Sequence, residues 1–471
     1  MMQVPSAHKA RRMKCAALLV VTVTPAWAFT GPWHRAVAST TTTALGYRSS
    51  IATIDVAETA QRRNVDALPE WAQSCGAEMV AGLRVVQTAP SINNPDGQDF
   101  HLKTTEPIAA DTPVIYIPRF LTLSSADISQ ELGGNLEAAE NALESADRLP
   151  LFRLLVKILS EVEQGDASPF EPWLNALPRR FHNGVAMTAA CFECLPPYAS
   201  YLASQERYTF EIFVQALREG YLELSADTLQ DTNLLQWAYN VALTRHQMTW
   251  DADGNVQKII APVADLLNHA TWSNCAVQFD DEGNAYVTAT QDIPANTALT
   301  LSYGDPTDPT PLFAKYGFLE NDCSTIFCKA IHLQDEMQAL GYGFSDVLLD
   351  TTDGSLTPPV WDVFLYALLK EWGEDADAFF TACTTGDEDT KNAYHAHYMV
   401  YTIAAIQQFV DSLLEEVGQL TNQARTYDQT THPRVPIIMA HNNLVLSTFL
   451  KVKKNLATMA EEAGEEDSQT E

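Results

Sequence analysis

The sequence predicts an α+β protein with an all-α module appended, and three observations carry that reading. Short β-branched runs broken by turn signals occupy residues 79–123 and again 256–303. A long stretch of helical periodicity, about 126–250, separates them. Helical periodicity resumes after 332 and continues to about 460.

In the first β region, Val114, Ile115, Tyr116 and Ile117 form an apolar run that stops at Pro118, and the Asn94, Pro95, Asp96, Gly97 segment marks a turn. In the helical stretch Leu151, Leu154, Leu155, Ile158 and Leu159 fall on one face, as do Leu234, Trp237, Ala238 and Val241. In the second β region the turn signals Asp253-Gly254-Asn255 and Asp281-Glu282-Gly283-Asn284 bound runs such as Ala276 to Phe279 and Ala285 to Thr288. Past 332, a stripe of Ile406, Phe409, Val410, Leu413, Leu414, Val417 and Leu420 is backed by acids and glutamines, as expected of a helix with one buried face. No internal repeat is evident.

The chain has 471 residues, enough for two or three domains, with 46% apolar and 19% charged residues, which excludes a disordered, collagen-like or coiled-coil chain. Its 29 basic and 60 acidic residues give a formal net charge of −31, so its field repels phosphate backbones and argues against a nucleic-acid partner. Eight cysteines are too sparse for a disulfide scaffold and fit a mostly reduced compartment.

The acidity begins abruptly. Residues 1–54 hold no Asp or Glu and six basic residues, leaving a net −37 in the remainder. A basic start, the apolar run from Cys15 to Val21 and the small-x-small sequence Ala26-Trp27-Ala28 read as a secretory signal over 1–28. That run is too short to span a bilayer, and no membrane association is expected once it is removed. Phe29 and the Ser/Thr-rich, acid-free stretch after it have transit-peptide chemistry, assigned to 29–60. Together the two segments resemble the bipartite presequence of algae with secondary plastids, which implies the plastid stroma; plain secretion is the alternative. Residues 29–55 are expected to be poorly ordered, and the like-charge block of residues 461–471 to be a disordered tail.

Several familiar signatures are absent: no Gly-x-Ser-x-Gly elbow, Walker loop, His-Glu-x-x-His or dinucleotide fingerprint occurs. Asp251, Asp253 and Asn255 begin like a calcium loop, but Val256 and Pro262 stand at its sixth and twelfth positions, so a hairpin turn fits better. Cys191 and Cys194, with Cys323 and Cys328, have zinc spacing, yet their apolar surroundings favour buried thiols and no metal is assigned. His395 and His397 read as a surface pair.

Residues Arg245 to Phe318 hold an uncommon ordered set. Pro262-Val-Ala-Asp265-Leu-Leu-Asn268-His269 precedes Asn274-Cys275, then Leu299-Thr-Leu-Ser-Tyr303-Gly304, then Tyr316-Gly317-Phe318. The set resembles the SET-domain protein methyltransferases of the subgroup that includes the Rubisco large-subunit lysine methyltransferase and the actin-histidine methyltransferase. Trp237 to Arg245 is similar to the helix before the Asn-His segment, and Ser168 to Pro178, with Trp173, to landmarks of the insertion. The resemblance implies a SET-domain β-fold over 70–331, with the helical insertion at about 126–250, followed by an all-α substrate-binding lobe over 332–460.

It also implies S-adenosylmethionine as cofactor and a protein lysine side chain as methyl acceptor. Arg245, Asp265, Asn268, His269 and Phe318 are then the expected cofactor-binding residues. The Arg245 guanidinium suits a carboxylate and the Phe318 ring suits adenine. Tyr303 is the expected catalytic tyrosine, and Tyr316 lines the acceptor channel. A lysine amine, with an unperturbed pKa of ~10.4, must lose its proton before it attacks, and a narrow apolar channel assists by desolvating the ammonium. Aligning Leu102 to Thr104 and Ile108 with the family's first strand puts Asp99 and His101 where it has glycines. Side chains there would crowd the cofactor unless the loop takes a different course. Alternative readings are a protein-histidine methyltransferase and a SET-fold module that binds a partner without methylating it. By the same resemblance the acceptor is a stromal protein such as the Rubisco large subunit or a sugar-phosphate aldolase, and the enzyme a monomer.

Overall fold

The computed structural model describes residues 63–469, apart from residues 96, 98, 133–135, 221, 252, 321 and 374. The expected signal and transit segments (1–28 and 29–60) lie outside the described residues.

The first β region gives β1 (Glu78–Met79), β2 (Leu83–Gln87), β3 (Phe100–Thr104), β4 (Pro113–Ile117) and β5 (Leu123–Ser124). The second gives β6 (Gln247–Trp250), β7 (Val256–Ile260), β8 (Asn268–His269), β9 (Cys275–Phe279), β10 (Ala285–Ala289) and β11 (Thr300–Leu301); β12 (Thr325–Phe327) and β13 (Leu348–Asp350) follow. Strands from both regions pair across the insertion: one sheet runs β1-β4-β10-β9 and another β5-β7-β6. Their apolar residues, including Val114, Ile115, Ile117, Ile260 and Val287, are buried in one core.

The insertion shares that core. Its helices Leu149–Gln164, Pro197–Glu219 and Thr232–Arg245 each bury an aromatic ring in one cluster: Phe152 meets Phe213 edge-on at 5.3 Å, and Phe213 meets Tyr239 at 5.6 Å. Such edge-to-face contacts fix helix positions beyond what area burial alone does. The insertion ends at Arg245 rather than near 250, because Gln247–Trp250 pairs with β7 as a hairpin. The Asp251 carboxylate closes that turn by accepting from the amides of Asp253 and Asn255, at 3.0 and 2.8 Å.

The last third packs around its own cluster. Ile406, Val410, Leu413 and Val417 of helix Glu388–Ala424 face Val445, Phe449, Val452 and Leu456 of helix Val435–Gln469. By length and composition the stretch Val435–Glu462 is apolar enough to cross a membrane, but 50% of its most apolar window is buried inside the protein, as in a core helix. Three details differ from expectation. The β12–β13 hairpin straddles the expected domain boundary. The final helix continues through the acidic block to Gln469, which was expected to be a disordered tail; alanine and glutamate are good helix formers. His395 is half-buried rather than exposed: its Nε2 lies 2.7 Å from the buried Asp362, which also accepts from the Tyr342 hydroxyl. A helical period brings residue 395 back toward the core, whereas His397 is exposed.

Candidate active site

Helix Thr232–Arg245 is started by Asp231, whose carboxylate accepts from the amides of Asn233 and Leu234, both at 3.0 Å. Its buried face, with Leu234, Trp237, Ala238 and Val241, fixes its roll, so that Arg245 emerges at its C-terminal end. The guanidinium donates to the Asp265 carbonyl at 2.8 Å and lies 3.6 Å from Asp265 Oδ2. That Oδ2 also accepts from Trp173 Nε1 at 3.1 Å. The Asp265 side chain is 1% exposed. Burial pushes its carboxyl pKa up, while Arg245 and Trp173 oppose the rise. Asp265 is thus the buried counter-charge that orients Arg245.

Between these residues the chain makes a strained turn. Val263 has φ +74°, a left-handed conformation unusual for a β-branched residue, and leads into the turn Ala264–Leu266. The turn delivers β8, which runs parallel to β11 with Asn268 opposite Thr300 and His269 opposite Leu301. This pairing sets Tyr303 beside His269. The Tyr303 amide donates to His269 Nδ1 at 3.0 Å, so the ring carries its proton on Nε2. Glu320 Oε2 lies 3.3 Å from Nε2, a charge-pair distance without hydrogen-bond geometry. Burial lowers the His269 pKa and Glu320 opposes it.

The Tyr303 hydroxyl donates to the Leu267 carbonyl at 2.6 Å. Burial pushes this phenol well above its ordinary pKa, so it keeps its proton at neutral pH. Its ring lies 4.8 Å from that of Tyr316, 5.4 Å from His269 and 6.3 Å from Phe318. Tyr316 ends helix Pro309–Tyr316, and Gly317 at φ +84° turns the chain so that Phe318 faces back toward His269, 5.4 Å away. Every residue expected at the site is therefore in one neighbourhood: Arg245 and Asp265 at one end, Asn268 and His269 at the strand crossing, Tyr303, Tyr316 and Phe318 as an aromatic wall.

Other residues join them, of which Arg63 and Asn93 are unannounced by the sequence. Arg63, at the start of the described chain, donates from Nε to the Ala176 carbonyl at 2.8 Å, with its guanidinium 5.1 Å over the Phe100 ring. Burial, then the charges of Arg245 and Arg179, push its pKa down to about 9, and Asp99 and Asp265 oppose them. A single arginine beside a presequence carries no signal of this. Asn274 latches β11, accepting from the Thr300 amide at 2.8 Å and donating to the Ala298 carbonyl at 2.9 Å. Asn93 clasps the Leu319 backbone from both sides, at 3.0 and 2.9 Å. Asp99 ends the loop before β3 and His101 lies in β3, opposite Val86 of β2. The Asp99 carbonyl accepts from Thr88 at 2.7 Å, the Asp99 amide donates to Asn94 Oδ1 at 3.2 Å, and His101 Nδ1 is bonded to Thr88 Oγ1 at 3.0 Å. The four zinc-spaced cysteines are not at this site. Cys191 and Cys194 pack with Phe313 and Ile438, and Cys323 bonds the carbonyls of Pro306 and Thr325.

Comparison with known proteins gives the same region. The family described as SET domain matches residues 99–304. SET domain-containing protein 4 of Artemia parthenogenetica is 24% identical over 225 residues, 46% of this chain and 55% of that protein. SET domain-containing protein 4 of Homo sapiens is 25% identical over 184 residues, 36% of this chain and 41% of that protein. The matches thus span about half the length of these curated relatives. Among solved structures, the SET domain of LSMT bound to lysine and AdoHcy superposes with TM-score 0.58 at 13% identity, covering 84% of this chain and 92% of that one. Rubisco LSMT bound to AdoMet gives TM-score 0.57 at 14% identity with the same coverage. The described chain has the SET-domain fold.

Proposed function

We propose that this chain is an S-adenosylmethionine-dependent protein methyltransferase acting on a lysine side chain of a protein substrate. The observation that carries the reading is the gathering of Arg245, the Asn268–His269 strand crossing, Tyr303, Tyr316 and Phe318 in one neighbourhood of the SET-domain fold. The solved neighbours bound to AdoMet, or to lysine and AdoHcy, support it.

The residues present fit the cofactor by their chemistry. Arg245 and Arg63 crowd two guanidiniums into one partly buried region, a repulsion that a ligand carboxylate relieves. Phe318 offers its ring to adenine. When bound, S-adenosylmethionine supplies a methyl group on a cationic sulfur. Tyr303 and Tyr316, both phenols whose pKa burial raises, orient and desolvate the acceptor amine rather than take its proton. Desolvation of the acceptor beside these buried rings disfavours the ammonium and so favours the neutral, nucleophilic amine.

The acid-free first 54 residues and the Phe29 that follows Ala26-Trp27-Ala28 support a plastid address, with a stromal acceptor such as the Rubisco large subunit or a sugar-phosphate aldolase. Mass spectrometry of the native N-terminus should find the chain starting at or beyond Phe29; an intact Met1 would remove that address. The enzymatic reading is tested by calorimetric titration with S-adenosylmethionine, followed by labelling of stromal extract. Saturable binding and a labelled lysine are expected. Absence of binding favours the non-catalytic SET-fold module, and a labelled histidine would move the assignment to that acceptor.

A further inference from the structure

The His269 imidazole lies 5.4 Å from the rings of both Tyr303 and Phe318, and its side chain is 2% exposed. Only one of its nitrogens is satisfied. Nδ1 accepts from the Tyr303 amide at 3.0 Å; a backbone amide only donates, so the ring proton sits on Nε2. That Nε2–H is buried and makes no hydrogen bond among the described residues, a state that costs free energy until an acceptor answers it. Glu320 Oε2 is 3.3 Å away, close enough to bond but off the line of the N–H. The Glu320 side chain is 19% exposed, which leaves the carboxylate room to turn. Its main chain is already fixed. The Phe318 ring lies against His269, and the Asn93 side chain bonds the Leu319 amide at 2.9 Å and the Leu319 carbonyl at 3.0 Å. Glu320 is the next residue, so a turn of its side chain alone brings the carboxylate onto Nε2–H.

We propose that Glu320 is a positioning residue acting through His269, its carboxylate accepting the hydrogen bond of Nε2–H and so holding the ring between Tyr303 and Phe318; the inference rests on the methyltransferase reading above. A ring bonded at both nitrogens cannot pivot. Tyr303, placed by its amide on Nδ1, and Phe318, placed two residues before Glu320, are then referred to one fixed imidazole. Without Glu320 the ring keeps only the Nδ1 bond, and an unanswered N–H inside the protein favours any motion that brings it to water. Tyr303 and Phe318 loosen with it. The charge-assisted bond to a carboxylate is the stronger form of this contact, but any acceptor oxygen at position 320 supplies its geometry.

The test compares the full chain with its Glu320→Gln and Glu320→Leu variants; Gln keeps an acceptor oxygen without the charge, and Leu has neither. In calorimetric titration with S-adenosylhomocysteine, Glu320→Leu should bind ~5-fold or more weakly and Glu320→Gln within about twofold of the parent. Imidazole NMR gives a second readout that general loosening does not produce, with the His269 signals identified by their loss in His269→Asn. The Nε2 proton should resonate far downfield in the parent, somewhat less so in Glu320→Gln, and in Glu320→Leu should move upfield or be lost to exchange. A loss of affinity in Glu320→Gln equal to that in Glu320→Leu would make charge rather than the held ring the cause, and overturn the proposal. Unchanged affinity in Glu320→Leu, or an Nε2 proton that does not move in that variant, would overturn it as well. A parent chain that does not bind S-adenosylhomocysteine instead removes the methyltransferase reading and this inference with it.

Discussion

Tyr303 is fastened twice, by its amide to His269 and by its hydroxyl to the Leu267 carbonyl, so its phenol oxygen is fixed before any ligand arrives. Tyr303→Phe keeps the ring contacts and removes only the second fastening. Methyl transfer should fall ~10-fold or more with cofactor affinity little changed, because the hydroxyl matters most in the transition state. Stability should drop by about 1 kcal/mol as the Leu267 carbonyl loses its donor. Single-turnover rates and urea midpoints measure the two effects separately, and unchanged turnover would make Tyr303 an ordinary packed aromatic. Arg245→Ala does something different, since it strands a buried carboxylate. A loss of about 3 kcal/mol in stability is expected along with weaker cofactor binding. Arg245→Ala with Asp265→Ala should recover part of the stability but none of the affinity, and recovery of both would show that Arg245 acts only by holding the fold.

At the scale of elements, the site depends on how helix Pro309–Tyr316 ends. Asn183 Nδ2 accompanies that end by donating to the Lys315 carbonyl at 3.0 Å, and the next turn passes so close to residues 182–183 that there is no room for a side chain. A Cβ at position 317 would lie 2.5 Å from the His182 carbonyl carbon, and φ is +84°. Gly317→Ala therefore combines backbone strain with a clash against main chain, and should cost at least ~2 kcal/mol. It should also weaken cofactor binding by displacing Phe318, which fluorescence-monitored unfolding and titration together detect. A variant as stable as the parent would mean that the turn relaxes freely, and the close approach would then have no energetic weight.

For the whole molecule, the consequential feature is the polar network joining the site-bearing helix to the helical lobe. Lys329 bonds Asp308 and Thr310, and Thr310 Oγ1 lies 3.0 Å from His441 Nε2 on the last helix. Phe313 stacks on the His441 ring at 5.1 Å. Thr310 accepts from Lys329 and keeps its own hydroxyl proton, which a neutral His441 Nε2 can accept. Burial, with Lys329 nearby and Asp308 opposing, takes the His441 pKa down to about 3. A depressed histidine pKa means that the unfolded chain binds the proton first. The contribution to stability is thus full above about pH 6.5 and lost as pH falls from there toward 3, with a slope of up to about 1.4 kcal/mol per pH unit. Urea midpoints from pH 7 to 5 should fall steeply in the parent and less steeply in His441→Gln, whereas parallel slopes would remove His441 as the cause.

Much of this architecture was legible in residue order. Periodicity located the helix faces of Leu151 to Leu159 and Ile406 to Val417, turn residues located the hairpins at Asp251 and Asp281, and the ordered Asn268-His269, Tyr303 and Tyr316-Gly317-Phe318 set identified the neighbourhood of the site. These are short-range patterns, because burial of one face repeats every 3.6 or 2 residues. The tertiary structure alone decided which distant polar groups meet. Asn93 and Leu319 are 226 residues apart and Thr310 and His441 131 apart; Arg63 reaches the Ala176 carbonyl and Trp173 the Asp265 carboxylate. No local spacing encodes such pairs, since a buried hydrogen bond constrains only its two ends and leaves the chain between them free to vary.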